Sequence, residues 1–126
     1  MKLCRFKNAE GKVRVGLAVD DGTIADLSAG GVESITSLLE DTNGTQRVSE
    51  LAGQDLPKVT LGDITLLTPV EGQEVWAAGV TYLRSKKARM EESDFSASAY
   101  DLVYEAARPE IFFKSLPEKI VGPNEP

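Results

Sequence analysis

Histidine is absent from the 126 residues, cysteine occurs once, and basic residues are outnumbered by acidic ones. Without histidine the chain cannot itself hold a Ser-His-Asp triad, a Cys-His pair or a histidine-bound zinc. Any metal would be a hard cation on oxygen ligands. The lone Cys4 cannot close an internal disulfide, which fits a reducing compartment. Its neighbours Leu3 and Phe6 read as strand rather than as the setting of a reactive thiol. With 14 Lys and Arg against 20 Asp and Glu the formal net charge is -6, so the balance offers no surface for nucleic acid or anionic lipid. Partners are expected to be small molecules or protein. Long apolar runs are missing too. "MKLCRFKNAEGKVRVG" is charged from residue 2 and breaks its apolar character every second residue, so it reads neither as a signal peptide nor as a membrane span. A cytoplasmic protein is expected.

What is present is enough for one modest domain, or one small domain and a piece of another. Residues 1–70 read as a small α+β domain. "KLCRFK" alternates apolar and charged residues, "NAEG" supplies a turn, "KVRVGLAV" alternates again, "DDG" signals a hairpin, and "TIADL" is a third short strand. Three strands with one apolar face need a cover. "ESITSLLE", with Ile35, Leu38 and Leu39 on one side, and "TQRVSELAG", with Val48, Leu51 and a stop at Gly53, are the helices to supply it. "SAGG" and "DTNG" read as loops. "ITLLTPV" is extended and leads out of the domain at Pro69.

Residues 71–126 follow another pattern. "EVWAAGV" is a nearly continuous apolar run ending in glycine, which predicts a strand buried on both faces. "YLRSKKARMEES" reads as a helix in which four of the six residues from Arg84 to Arg89 are basic. Such a run is either a solvated helix face or, at the carboxyl end of the Trp76 strand, a set of contacts for a carboxylate substrate. The acids of "MEESD" sit side by side on one helix end and form no converging oxygen cage. A helix is expected over Asp101 to Ala107, stopped by Pro109, with Tyr100 and Tyr104 as core contacts. "IFFK" is a strand ending in Lys114, which either snorkels out of a core or points into a cleft shared with the basic segment. "IVG" is a further short strand.

The segments "VWAAGVTY" and "RPEIFFKSLPEKIVGPNEP" resemble the fumarylacetoacetate hydrolase family, clearly from Glu74 to Pro126 and more loosely before. The resemblance implies a mixed α+β chain: a small N-terminal meander with short helices, then the beginning of a mixed β-roll catalytic domain over 71–126. It also implies a divalent cation, usually Mg2+, a 2-oxo acid substrate, and a homo-oligomer with the dimer as its common minimum. Members that hydrolyse carbon–carbon bonds show Asn, Tyr and His after the glycine. Here those places are Thr81, Tyr82 and Ser85. "GVTYLRSKKARMEES" with "YDLVYEAARPEIFFK" is instead similar to the branch that dehydrates 2-keto-3-deoxy sugar acids such as 2-keto-3-deoxy-arabinonate.

On that resemblance Thr81, Tyr82, Arg84 and Lys114 are the expected substrate-binding residues, and Ser85 and Lys86 the expected catalytic residues that relay a proton. The family's metal carboxylates follow the "VGP" segment, so none is expected in this chain and the ligands are expected beyond Pro126. The expected role is the N-terminal part of a dehydratase, inactive alone. The alternatives on the same scaffold are a carbon–carbon hydrolase, an isomerase or a decarboxylase of a 2-oxo diacid. From a different class, a complete 126-residue chain would be an interaction domain using its "FFK" and "VWAAG" strands.

Overall fold

The computed structural model describes residues 1–79, 82–92 and 102–123, and these fall into two compact units, one of 1–72 with 118–123 and one of the described residues between 73 and 117. Both are mixed α+β with antiparallel sheets.

The first unit is built on the expected meander. Strand β1 (Leu3–Lys7) pairs with β2 (Val13–Ala18), and β2 with β3 (Thr23–Asp26). The first turn is made by Asn8, whose side-chain oxygen accepts from the amides of Glu10 and Lys12, and by Gly11 at φ 76. Two short strands, β4 (Lys58–Thr60) and β5 (Thr65–Leu67), complete the order β4-β3-β2-β1-β5. The sequence pattern does not mark β4, which lies in a segment of mixed polarity, whereas β5 falls in the "ITLLTPV" segment expected to be extended.

Helix α1 (Ile35–Glu40) starts at Ser34, whose hydroxyl accepts from the Ser37 amide, and α2 (Gly44–Ala52) follows it. Together they bury Ile35, Leu38, Val48 and Leu51 against Val15, Leu17, Leu27 and Val32, whereas Leu39, expected beside Ile35 and Leu38, is 72% exposed. "SAGG" is more ordered than a loop. The Asp26 carboxylate accepts from the Ser28 and Ala29 amides and caps a 3-10 turn over Leu27–Gly30, which Gly31 closes at φ 84. Asp26 also takes both forks of the Arg14 guanidinium, at 2.9 and 2.8 Å.

The sheet buries residues on both faces, not one. The register puts Leu3, Val15, Leu17 and Ala25 on the helix side, and Cys4, Phe6, Gly16 and Ile24 on the other. Phe6 is 0% exposed and Ile24 4%, because Gly16 leaves room for both above it. Burial pushes the Cys4 thiol above its ordinary value, against a backbone hydrogen bond with Gly16 that pulls it down. A raised thiol holds less thiolate, as expected of a strand cysteine.

Glu71 ties the unit shut. Its carboxylate accepts from the Ile35 amide at 3.1 Å and from the Thr36 amide at 2.8 Å, and from the Thr36 hydroxyl, so it serves orphan donors at the start of α1 from 35 residues away. Arg5 Nε stands 3.3 Å from it, an ion pair not aligned as a hydrogen bond, while the same guanidinium donates to the carbonyls of Thr68 and Val70. Burial raises the Glu71 carboxyl, but the hydrogen bonds from Thr36 and Ile35 and the charge of Arg5 outweigh it, and the net shift is downward from 4.5. A lowered folded value means stability that is complete above the ordinary carboxyl range and is lost as the pH falls through the still lower folded value. We expect Glu71→Ala to lose about 2 kcal/mol at neutral pH and to flatten this acid limb. Urea melts of both proteins across the acid range would test it, and parallel pH profiles would refute it.

In the second unit, β6 (Val75–Ala78) pairs antiparallel with β7 (Ile111–Ser115), and helix α3 (Leu83–Glu92) lies between them in sequence. Three expectations change here. The "EVWAAGV" strand is not buried on both faces: Trp76 is 57% exposed, since a two-stranded ladder cannot cover both sides of itself. Of the helix expected over 101–107, residues 102–104 are helical and 105–108 are turn and bend, while Asp101 and Tyr100 lie outside the described residues. Pro109 disfavours the helical conformation at Arg108 alone, and the helix ends earlier, after Tyr104. "IVG" is not a strand, because no ladder among the described residues pairs with 120–122; a 3-10 turn over Pro117–Lys119 precedes them.

Candidate active site

The β6–β7 ladder organises the candidate residues. Trp76 is opposite Phe113, Ala77 opposite Phe112 and Ala78 opposite Ile111, while Val75 is opposite Ser115. One residue on β6 is thus matched by a two-residue step on β7, and Lys114 is the extra residue of a β-bulge. Bulges re-aim side chains and are common beside active sites. Trp76 and Phe113 fix the ladder next to the bulge with an edge-to-face contact, ring centres 6.0 Å apart.

The antiparallel pairing also decides what stands beside Gly79 at the end of β6. Lys114 lies beside the start of β6, roughly 10 Å back along the ladder at 3.3 Å per residue. Glu110 takes the Gly79 end instead. Its carbonyl accepts from the Gly79 amide at 2.8 Å, and its carboxylate would be 3.6 Å from a Cβ built on Gly79. Two hollows open here, of about 650 and 350 Å³. They share Val103, Ala106, Ala107, Arg108 and Pro109; Gly79 belongs to the smaller and Glu110 to the larger. Sequence reasoning passed over Arg108 and Glu110 as parts of a helix stop. The signal that points to them is their place on either side of Pro109, just before β7.

The expected site residues are spread over this unit. Thr81 lies outside the described residues. Tyr82, 74% exposed, immediately precedes α3, and Arg84 is exposed in its first turn. Ser85 and Lys86 follow on the same helix. The charge order of α3 is the reverse of what its dipole favours. Arg84, Lys86 and Lys87 gather near the positive amino end and Glu91 and Glu92 close the negative end. Each misplaced charge costs a few tenths of a kcal/mol. By sequence this gathers positive charge towards the amino end of α3, which suits attraction of an anion. Among the described residues no three Cys, Asp or Glu side chains converge to hold a metal, so these residues do not fit a magnesium site by themselves. No described helix is long and apolar enough to cross a membrane.

A two-unit α+β chain whose second unit opens with this strand, glycine and basic helix is similar to enzymes of the fumarylacetoacetate hydrolase family. Within that family the similarity is to the branch that dehydrates 2-keto-3-deoxy sugar acids. The chain is 31% identical over 112 residues to the 2-dehydro-3-deoxy-D-arabinonate dehydratase of Saccharolobus solfataricus, covering 85% of this chain and 38% of that protein. It is 51% identical over 57 residues to a probable 2-keto-3-deoxyxylonate dehydratase of Haloferax volcanii, covering 45% of this chain and 19% of that one. No protein-family model matches. Among solved structures, the apo form of 2-keto-3-deoxy-D-arabinonate dehydratase matches 96% of this chain and 41% of that one, with 28% identity and a TM-score of 0.56. The same enzyme complexed with magnesium and 2,5-dioxopentanoate matches at 27% identity, also with a TM-score of 0.56. The chain therefore spans well under half the length of these relatives.

Proposed function

We propose that this chain is the amino-terminal part of a magnesium-dependent dehydratase of a 2-keto-3-deoxy sugar acid, with residues 1–70 as an accessory domain and 71–126 as the opening of the catalytic domain. The observation that carries the reading is the 31% identity to a dehydratase over 85% of the chain. The likeness to a structure holding magnesium and 2,5-dioxopentanoate supports the same class of substrate and cofactor. The product in that complex is what remains when a five-carbon 2-oxo-3-deoxy acid loses one water.

The chemistry divides into binding and proton transfer. Thr81, Tyr82, Arg84 and Lys114 bind the carboxylate and hydroxyls of the acid, Lys114 from its bulge and Arg84 from the positive end of α3. Elimination needs a proton taken from C3 and an acid to help the hydroxide leave, and Ser85 and Lys86 on α3 are assigned to that relay. The residues described here supply no magnesium ligand set, so the metal is assigned to the whole enzyme. The exposed β6–β7 face, with Ile111 67% and Phe113 47% exposed, suits contact with further protein, in keeping with a homo-oligomeric cytoplasmic enzyme.

The test is to incubate the intact native polypeptide with magnesium and 2-keto-3-deoxy-arabinonate or 2-keto-3-deoxy-xylonate and follow loss of water. No turnover of either acid would refute the reading. Lys114→Ala in that polypeptide is expected to lower kcat/KM at least about tenfold, the loss of one charge-assisted contact. Its melting temperature should stay within about 2 °C of wild type, because the side chain is exposed. An unchanged rate would remove Lys114 from the site.

A further inference from the structure

We propose that Arg108 anchors the carboxylate of the substrate and that the hollow beside Gly79 orients the acid end to end; this rests on the dehydratase reading above. Among the described residues Arg108 is the only cation lining either hollow and the only charged residue lining the smaller one. Among the described residues its guanidinium enters no salt bridge, whereas Arg5 and Arg14 are both committed to carboxylates. The remaining shared wall, Val103, Ala106, Ala107 and Pro109, is apolar, so Arg108 is the charged group that a ligand meets in both hollows. Pro109 disfavours the helical conformation for Arg108, which sits in a bend shortly before β7.

The second charge of the larger hollow, Glu110, has the opposite sign and stands over Gly79. A planar fork of donors at one point and an acceptor-only carboxylate at another match a ligand with a carboxylate at one end and hydroxyls at the other. Sugar acids have that layout, and simple dicarboxylates do not, because Glu110 would repel the second carboxylate. Lys114, farther along the ladder, is then left to the distal hydroxyls.

The probe is 2-oxobutyrate against its methyl ester, bound to the intact native polypeptide in the presence of magnesium and measured by calorimetry. Wild type is expected to bind the acid at least tenfold more tightly than the ester. Arg108→Ala should abolish that preference, and Arg108→Lys should retain only part of it, since lysine keeps the charge and loses the fork. Acid binding by Arg108→Ala equal to that of wild type would overturn the proposal, as would a wild type indifferent to the ester. Should Arg108→Ala fail to fold, Arg108→Lys and Arg108→Gln carry the same comparison, and equal acid binding by Arg108→Gln would overturn it. A wild type that shows the preference but dehydrates no 2-keto-3-deoxy acid would overturn the enzyme reading and leave the anchor. A dehydratase whose KM is unmoved by Arg108→Ala would overturn the anchor and leave the enzyme.

Discussion

Gly44→Ala is expected to destabilise the first unit by at least about 3 kcal/mol, the upper range for inserting a methyl into a packed interior. A Cβ on Gly44 would lie 1.9 Å from the carbonyl oxygen of Leu38 and 3.0 Å from its carbonyl carbon. Those are backbone atoms of α1, so no rotamer change relieves the clash. Either the helix pair separates or α2 shifts along its axis, and both uncover Leu38 and Val48, which are 4% and 1% exposed. The reason is space and not torsion, because the positive-φ glycines are Gly11 and Gly31. A control follows from that distinction. Gly62 has nothing within 4 Å of its built Cβ, and Gly62→Ala should be close to neutral. Thermal melts should place Gly44→Ala on the order of 10–15 °C below wild type. A shift equal to that of Gly62→Ala would refute the packing argument.

Phe6→Ala is expected to cost about 3–5 kcal/mol, the range for removing a buried aromatic ring. Phe6 is 0% exposed and lies over Gly16 on the face of the sheet away from the helices. The same glycine brings Ile24 into contact, since a Cβ there would be 2.3 Å from the Ile24 side chain and 3.0 Å from the Phe6 ring. The space left by the ring is closed below by sheet backbone, which cannot collapse into it. Denaturant titration should show a lower midpoint with little change in slope. A loss below about 1 kcal/mol would mean that this face is loosely packed.

Much of the first unit was legible because its residues follow local rules. Asn8 and Gly11 specify the first turn, alternation specifies β1 to β3, and Ile35, Leu38, Val48 and Leu51 specify the buried sides of two helices. What was not legible depends on contacts between distant residues. Cys4 and Phe6 alternate against Arg5 and Lys7, and nothing in the alternation reveals that the second face also closes. Lys58–Thr60 has no strand pattern of its own and becomes sheet only because Ile24 and its neighbours offer an open edge. Glu71 reads as a linker acid, and its role at the start of α1 exists only once β5 has brought it back. In the candidate site the glycine, the basic helix and the lysine strand were visible as motifs. The antiparallel pairing that moves Lys114 down the ladder and puts Arg108 and Glu110 beside Gly79 was not, because a strand pattern does not state its direction.

The place of β1 between β2 and β5 bears on how the chain is completed during synthesis. β1, β2 and β3 are consecutive hairpins and can pair as soon as they clear the ribosome, since their contacts are local. One side of β1 must wait for Thr65–Leu67, and the start of α1 must wait for Glu71, so both stay open until the chain has grown past residue 71. A nascent chain shorter than this carries an unpaired β1 edge and an α1 start held by Ser34 alone; with the arrival of those few residues the edge is covered and the Ile35 and Thr36 amides gain their acceptor together.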